Sequence, residues 1–232
     1  GQKLSLKRAD RDAKEGVVYA MVSADGKKGV VIRLSSETDF VAKNEDFVNL
    51  AKEFTQIALD TFPADLETLL KQPYQNITIG EKVSEQVGVI GEKIELADYQ
   101  QIEAPQVVSY IHMGNKAGVI LGLNNADAKF RDAGRDVAMQ VAAMKPVALD
   151  KDGVDASIIE KEIEIGKELA RQEGKPEDML EKIALGKLNR FFKDNTLLAQ
   201  AFVKDNSLSV EAYLKSMDKD LTVTAFKHVK LG

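Results

Sequence analysis

One order of apolar segments occurs twice along the chain, and it constrains the fold more than any other feature. In its first occurrence the run Val17, Val18, Tyr19, Ala20, Met21, Val22 is followed by Asp25-Gly26 and then by Gly29, Val30, Val31, Ile32, Arg33, Leu34. β-Branched runs on either side of an Asp-Gly pair predict a β-hairpin. Asn44, with Glu45 and Asp46 behind it, supplies a capping side chain and two acids for a helix start. Phe47, Leu50, Ala51, Phe54, Ile57, Ala58 and Thr61 then recur at the spacing of a helix with one buried face, and Pro63 closes it. The second occurrence has Val107 to His112, a turn at Gly114-Asn115-Lys116, and Gly118 to Leu123. A helix with Phe130, Ala133, Val137, Val141 and Ala142 on one face follows, ended by Pro146. Two related hairpin-and-helix units are the economical reading.

The remaining segments add to this plan. Residues 64–74 predict a short helix, and residues 87–96 a strand bent at a glycine. Residues 158–172 read as a charged amphipathic helix, Gly174-Lys175-Pro176 interrupts it, and a second helix starts at Pro176. A glycine stop followed by proline in a first helical turn is the grammar of an antiparallel helix pair. Residues 221–229 alternate as a strand, and residues 4–15 are polar and compatible with a connecting helix. Strands and helices that do not alternate strictly favour an α+β fold. The expected organisation is a connecting helix over 1–16, a first α+β subdomain over 17–104, and a second over 105–153 with 194–232. Both carry small antiparallel sheets with packed helices, and residues 154–193 form a projecting antiparallel coiled-coil hairpin.

Composition excludes several classes. With 44% hydrophobic and 30% charged residues in a chain of 232, cores can form. The absence of cysteine removes disulfides and thiolate metal sites, and two histidines far apart do not suggest a structural metal. Neither a metal nor another cofactor is expected. No apolar run reaches the length of a membrane span and no signal-peptide pattern opens the chain, so a cytoplasmic location is expected. Net charge is -5, from 32 basic and 37 acidic side chains, which lacks the basic excess of a nucleic-acid binder. The clusters Lys3, Lys7, Arg8, Arg11 and Lys187, Arg190, Lys193 read as solvated helix faces.

The residues of an enzyme are not evident. No phosphate-binding glycine loop or nucleophile elbow occurs. His112, near Ser109 and Tyr110, reads as a strand-end histidine with no carboxylate partner at a meaningful spacing. One stretch stands apart: Glu37-Thr38-Asp39-Phe40-Val41-Ala42, a loop between a hairpin and a helix. From the residues alone, Phe40 either anchors the helix to the sheet or serves a partner, and Asp39 can be a helix cap.

At this stretch the chain resembles the elongation factor Ts family, whose T-D-F-V-A motif stands here as Thr38-Asp39-Phe40-Val41-Ala42. Residues 111–119 resemble the family's histidine-glycine hairpin and residues 136–146 its second-repeat helix; Gly174-Lys175-Pro176 falls where the family turns its coiled coil. The resemblance runs from about Gly16 to Gly232. It implies a guanine nucleotide exchange factor, not an enzyme, whose partner is GDP-bound elongation factor Tu. Thr38, Asp39, Phe40 and Val41 would press on the partner near its magnesium ion, Phe40 as a wedge in an apolar pocket. His112, Ala117, Gly118 and Gln140 would supply further contact, Gln140 standing where the family often has histidine. Direct nucleic-acid contact and membrane association are not expected. Residue 1 is expected to follow the family's N-terminal three-helix module, and the chain to stop before a C-terminal helix that some members carry. The alternative is a binding or assembly module on the same scaffold that exchanges no nucleotide.

Overall fold

A computed structural model describes residues 11–232. The connecting helix expected over 1–16 lies mostly outside the described residues. Its last two residues, Glu15 and Gly16, open strand β1 (Glu15–Val22). β1 pairs antiparallel with β2 (Lys28–Ser36). At the turn, the Asp25 carboxylate accepts from the Ser23 hydroxyl at 2.7 Å and the Lys27 N–H at 3.0 Å, while Gly26 takes a φ of 74° that suits glycine.

Helix α1 (Asp39–Lys43) and helix α2 (Glu45–Thr61) follow. Asn44 separates them and caps α2, its side-chain oxygen accepting from the N–H groups of Asp46 and Phe47. Phe47, Leu50, Ala51, Phe54 and Ala58 are buried as the spacing predicts, against Val17, Val30, Ile32 and Leu34 of the hairpin. The expected helix over 64–74 shrinks to α3 (Leu66–Leu70), because Pro73 disfavours helix at the residue before it. Pro73–Tyr74 and Ile77–Thr78 form a two-residue ladder as β3 and β4.

Residues 87–96 depart from expectation. They are not a bent strand: helix α4 (Ile79–Ile90) runs through the first of them and ends at Gly91, with φ 85°. The reason is local. Thr78 and Glu81 close a capping box, and Ile79, Val83 and Val87, four residues apart, are the buried face. The strand is β5 (Glu95–Glu103), which pairs with β2 to complete a sheet ordered β1-β2-β5.

The second hairpin consists of β6 (Gln106–His112) and β7 (Ala117–Leu123). A strand returning from the far end of the chain, Val223–Lys230, pairs with β7, so the order in this sheet is Val223–Lys230, β7, β6. Helix α5 (Arg131–Met144) buries Ala133, Val137, Ala138 and Val141, and Gly134 lets it approach Leu123 and Val108 closely. The two sheets meet through Val18, Ala20, Val31, Ile102, Ala104, Val107, Ile120 and Val229. Glycine sets the spacing: a Cβ on Gly29 would stand 2.6 Å from Val107 Cγ1, and one on Gly118 would stand 2.9 Å from Val18 Cγ1. With both faces of the central strands covered, β7 is buried along its whole length.

The chain divides into two compact units. One runs to Ala142 and is completed by Val223–Gly232; it contains both sheets. The other, Ala143–Thr222, is built on helices α6 (Ala156–Gln172) and α7 (Leu180–Asn195). Small side chains bring these helices together: a Cβ on Gly166 would lie 3.1 Å from Ala184 Cα, and Ala170 and Ala184 are fully buried. The connection contains Gly174 at φ 79°, as a helix stop requires. A strand pair, Ala201–Phe202 with Asp205–Ser209, and a final helix, Val210–Met217, complete this unit, with Phe202 stacked on Tyr213 at 4.1 Å. The protein is therefore an α+β fold with small antiparallel sheets.

Candidate partner-binding site

The 38–41 stretch follows the end of β2 and forms the cap and the first three residues of α1. Thr38 is the cap of α1, not Asp39, and its hydroxyl oxygen accepts from the Val41 N–H at 3.4 Å. Asp39 is the first helical residue, exposed, and paired across one turn with Lys43 at 3.3 Å. Such a pair on the surface contributes little stability. Phe40 is 84% exposed, so the reading in which it anchors the helix to the sheet is overturned. Val41, one residue on, turns inward and packs against the core instead. A five-residue helix turns its successive side chains by about 100° each, so packing Val41 against the core places Phe40 outward.

Phe40 does not stand alone. With Val41, Asn44, Phe47, Val89 and Ile90 it lines a groove of about 370 Å³. Val89, 72% exposed at the end of α4, is a second large apolar side chain in water that reading the residues did not single out. Its signal was present as a valine off the buried face set by Ile79, Val83 and Val87. Two exposed apolar side chains on one groove are the kind of patch that a partner covers.

The other expected residues lie elsewhere in the same unit. His112 ends β6, its Nδ1 2.9 Å from the Tyr110 hydroxyl, with the rings tilted at 5.6 Å. It pairs in register with Ala117, and Ile111 pairs with Gly118. Ala117 and Gly118 are buried, and Gln140 is 0% exposed within α5. Their side chains therefore do not reach the surface. What this hairpin offers to solvent is its turn, where Met113 is 69% exposed and Gly114 and Asn115 carry positive φ. Among the described residues no cluster of acidic and histidine side chains suited to a metal occurs, and no helix is long and apolar enough to cross a membrane.

The class that fold and site define is an α+β scaffold that presents an apolar protrusion, Phe40, on a short helix just after the central strand of a sheet. A family model described as Elongation factor TS matches residues 37–232. Elongation factor Ts of Christiangramia forsetii is 53% identical over 232 residues, covering 100% of this chain and 84% of that protein. The Cytophaga hutchinsonii protein of the same name is 52% identical and that of Flavobacterium psychrophilum 50%, with the same coverage. The chain belongs to the elongation factor Ts family.

Proposed function

We propose that this chain is the guanine nucleotide exchange factor for elongation factor Tu in translation elongation, acting in the cytoplasm on the GDP-bound GTPase. It makes and breaks no covalent bond. The observation that carries the reading is Phe40, a large aromatic 84% exposed on a helix tied down at its start, in a chain of the elongation factor Ts family. An aromatic held out from a rigid support is the form of a binding hot spot.

In this reading Phe40 enters an apolar pocket of the GTPase, and Asp39 brings a carboxylate up to the region of its magnesium ion. Magnesium coordination is disturbed and GDP leaves. The physics is linkage: when factor and nucleotide favour different conformations of the GTPase, each weakens the other's binding by the same factor. Thr38 and Val41 hold the helix from beneath. The turn beside His112 gives the second contact, while Ala117, Gly118 and Gln140 shape the elements that carry it. Residues 17–104 and 105–153 with 194–232 are the two related subdomains of this reading, with 154–193 as a coiled-coil hairpin.

The test is release of a fluorescent GDP analogue from purified elongation factor Tu, with this chain added at increasing concentration and at two magnesium concentrations. Acceleration that rises with concentration and is opposed by magnesium supports the proposal. Tight binding without acceleration selects a non-exchanging assembly module instead.

A further inference from the structure

Helix α1 carries the candidate contact residues, yet none of its five residues is buried. A helix this short does not persist in water unaided, because nucleation costs more than one turn returns. Val41 provides apolar contact. Hydrogen bonds supply the rest, and they converge on one side chain from a distant segment. Glu92 Oε1 accepts from the backbone N–H of Glu37 at 3.1 Å and of Thr38 at 3.0 Å. Its Oε2 accepts from the Thr38 hydroxyl at 2.7 Å. The arrangement is reciprocal, since Glu37 Oε1 accepts from the Lys93 N–H at 2.7 Å. The Ser36 hydroxyl adds a bond to the Thr38 carbonyl at 2.9 Å.

These bonds reach the two residues immediately before Asp39 and Phe40, so they set where α1 begins and in which direction Phe40 stands. Glu92 follows Gly91, the left-handed stop of α4, and α4 contributes Val89 and Ile90 to the groove beside Phe40. The clamp thus joins the two walls of the apolar surface. A carboxylate suits the task because three donors converge on it and it has only acceptors to offer; a glutamine amide would turn an NH₂ toward donors at one of the two positions.

We propose that Glu92 is a positioning residue for nucleotide exchange: it acts through Phe40 by fixing the start of α1. The inference rests on the exchange reading above. Misplacing a docking group by about 1 Å can cost on the order of a hundredfold in rate. Loss of the clamp leaves Val41 packing in place, so the expected loss is smaller.

The experiment measures kcat/KM for GDP release from elongation factor Tu with the wild-type chain, E92A, E92Q, F40L and F40L/E92A, together with amide hydrogen exchange of each free protein. Glu92→Ala is expected to lower exchange about tenfold, which corresponds to about 1.4 kcal/mol, with Glu92→Gln between it and wild type. In the Phe40→Leu background the same change should cost less than about twofold, since a residue acting through another shows strong non-additivity. The amides of Glu37 and Thr38 should lose protection in E92A while that of Ile32 keeps it. Wild-type exchange by E92A, or an equal loss in both backgrounds, overturns the positioning role. If E92A does not fold, E92Q carries the same comparisons. Failure of the exchange reading is separate and is seen with Glu92 intact: the wild-type chain would not accelerate release, or F40L would match it.

Discussion

The Tyr74 hydroxyl donates to the Glu53 carboxylate at 2.6 Å, and the Tyr74 ring stands edge-on to Phe54 at 5.7 Å. This joins α2 to the short strand ahead of α4 within the first core. Burial raises the phenol pKa, and the hydrogen bond to Glu53 and the charges of Glu53 and Glu85 raise it further, to about 12. The folded value exceeds the ordinary one of about 10, so the stability it supplies is whole below pH 10 and is lost as pH rises toward 12. Urea midpoints of wild type and Tyr74→Phe, compared from about pH 9 to 12, should converge as the wild type alone loses this term. Parallel curves would show that Tyr74 titrates normally.

Phe40→Ala should leave the fold intact and disable exchange. At 84% exposure the ring buries little in the free chain, so the change in unfolding free energy should stay within about 0.5 kcal/mol. A central aromatic hot spot is worth about 2 kcal/mol or more, so exchange should fall roughly thirtyfold or further. Thermal unfolding and GDP release, measured on one preparation, check both halves.

Gly118→Ala tests the spacing of the sheets. Its Cβ would fall 2.9 Å from Val18 Cγ1 and 3.2 Å from Val31 Cγ2, both side chains fully buried. Overpacking of this kind costs about 1–3 kcal/mol. Because the clash is with Val18, the double variant G118A/V18A should lose less than the sum of the single changes in denaturant unfolding. Additive losses would place the cost elsewhere.

In the helical pair, Gly166 and Gly186 should respond in opposite directions. Gly166→Leu drives a side chain into Ala184, whose Cα would be 3.1 Å from the new Cβ, and should destabilise by about 1–3 kcal/mol. Gly186 lies within α7 with nothing inside 4 Å of its Cβ position, so Gly186→Ala should stabilise by about 0.5–1 kcal/mol. Urea unfolding followed by circular dichroism separates the two.

Much of this molecule was legible where the signal is local. The Asp25-Gly26 turn, the Asn44 cap with its buried stripe from Phe47 to Ala58, and the Gly174-Lys175-Pro176 break each lie within a short window, and each forms as the residues imply. Even the last turn of α4, included in the strand expected over residues 87–96, belongs to a helix announced locally by the Thr78–Glu81 capping box. From Val87 the β-branched residues suit a strand, and the four-residue spacing that marks the helix lies before them, at Ile79, Val83 and Val87.

The candidate site was legible only in part. Family resemblance pointed to Thr38, Asp39, Phe40 and Val41, but no local pattern told which of two adjacent apolar residues faces inward. Phe40 and Val41 are equally apolar by type; the core under α1 accepts Val41 and leaves Phe40 in water. Glu92 was invisible for a different reason. It is one of many acidic residues, and its meaning comes from backbone donors 54 and 55 positions away.

The sequence by itself determined the hairpins, the capped helices, the paired helices after residue 155 and the motif that marks the family, because periodicity, caps and turn residues act over about ten residues. Tertiary structure alone decided that both sheets share one unit, that Gly118 and Gln140 are buried, that Phe40 stands in water, and that a carboxylate from beyond α4 accepts from Thr38 at the start of α1. Burial and hydrogen-bond partnership are properties of what lies across a contact, and in this chain the other side of each contact is supplied by a segment far away in sequence.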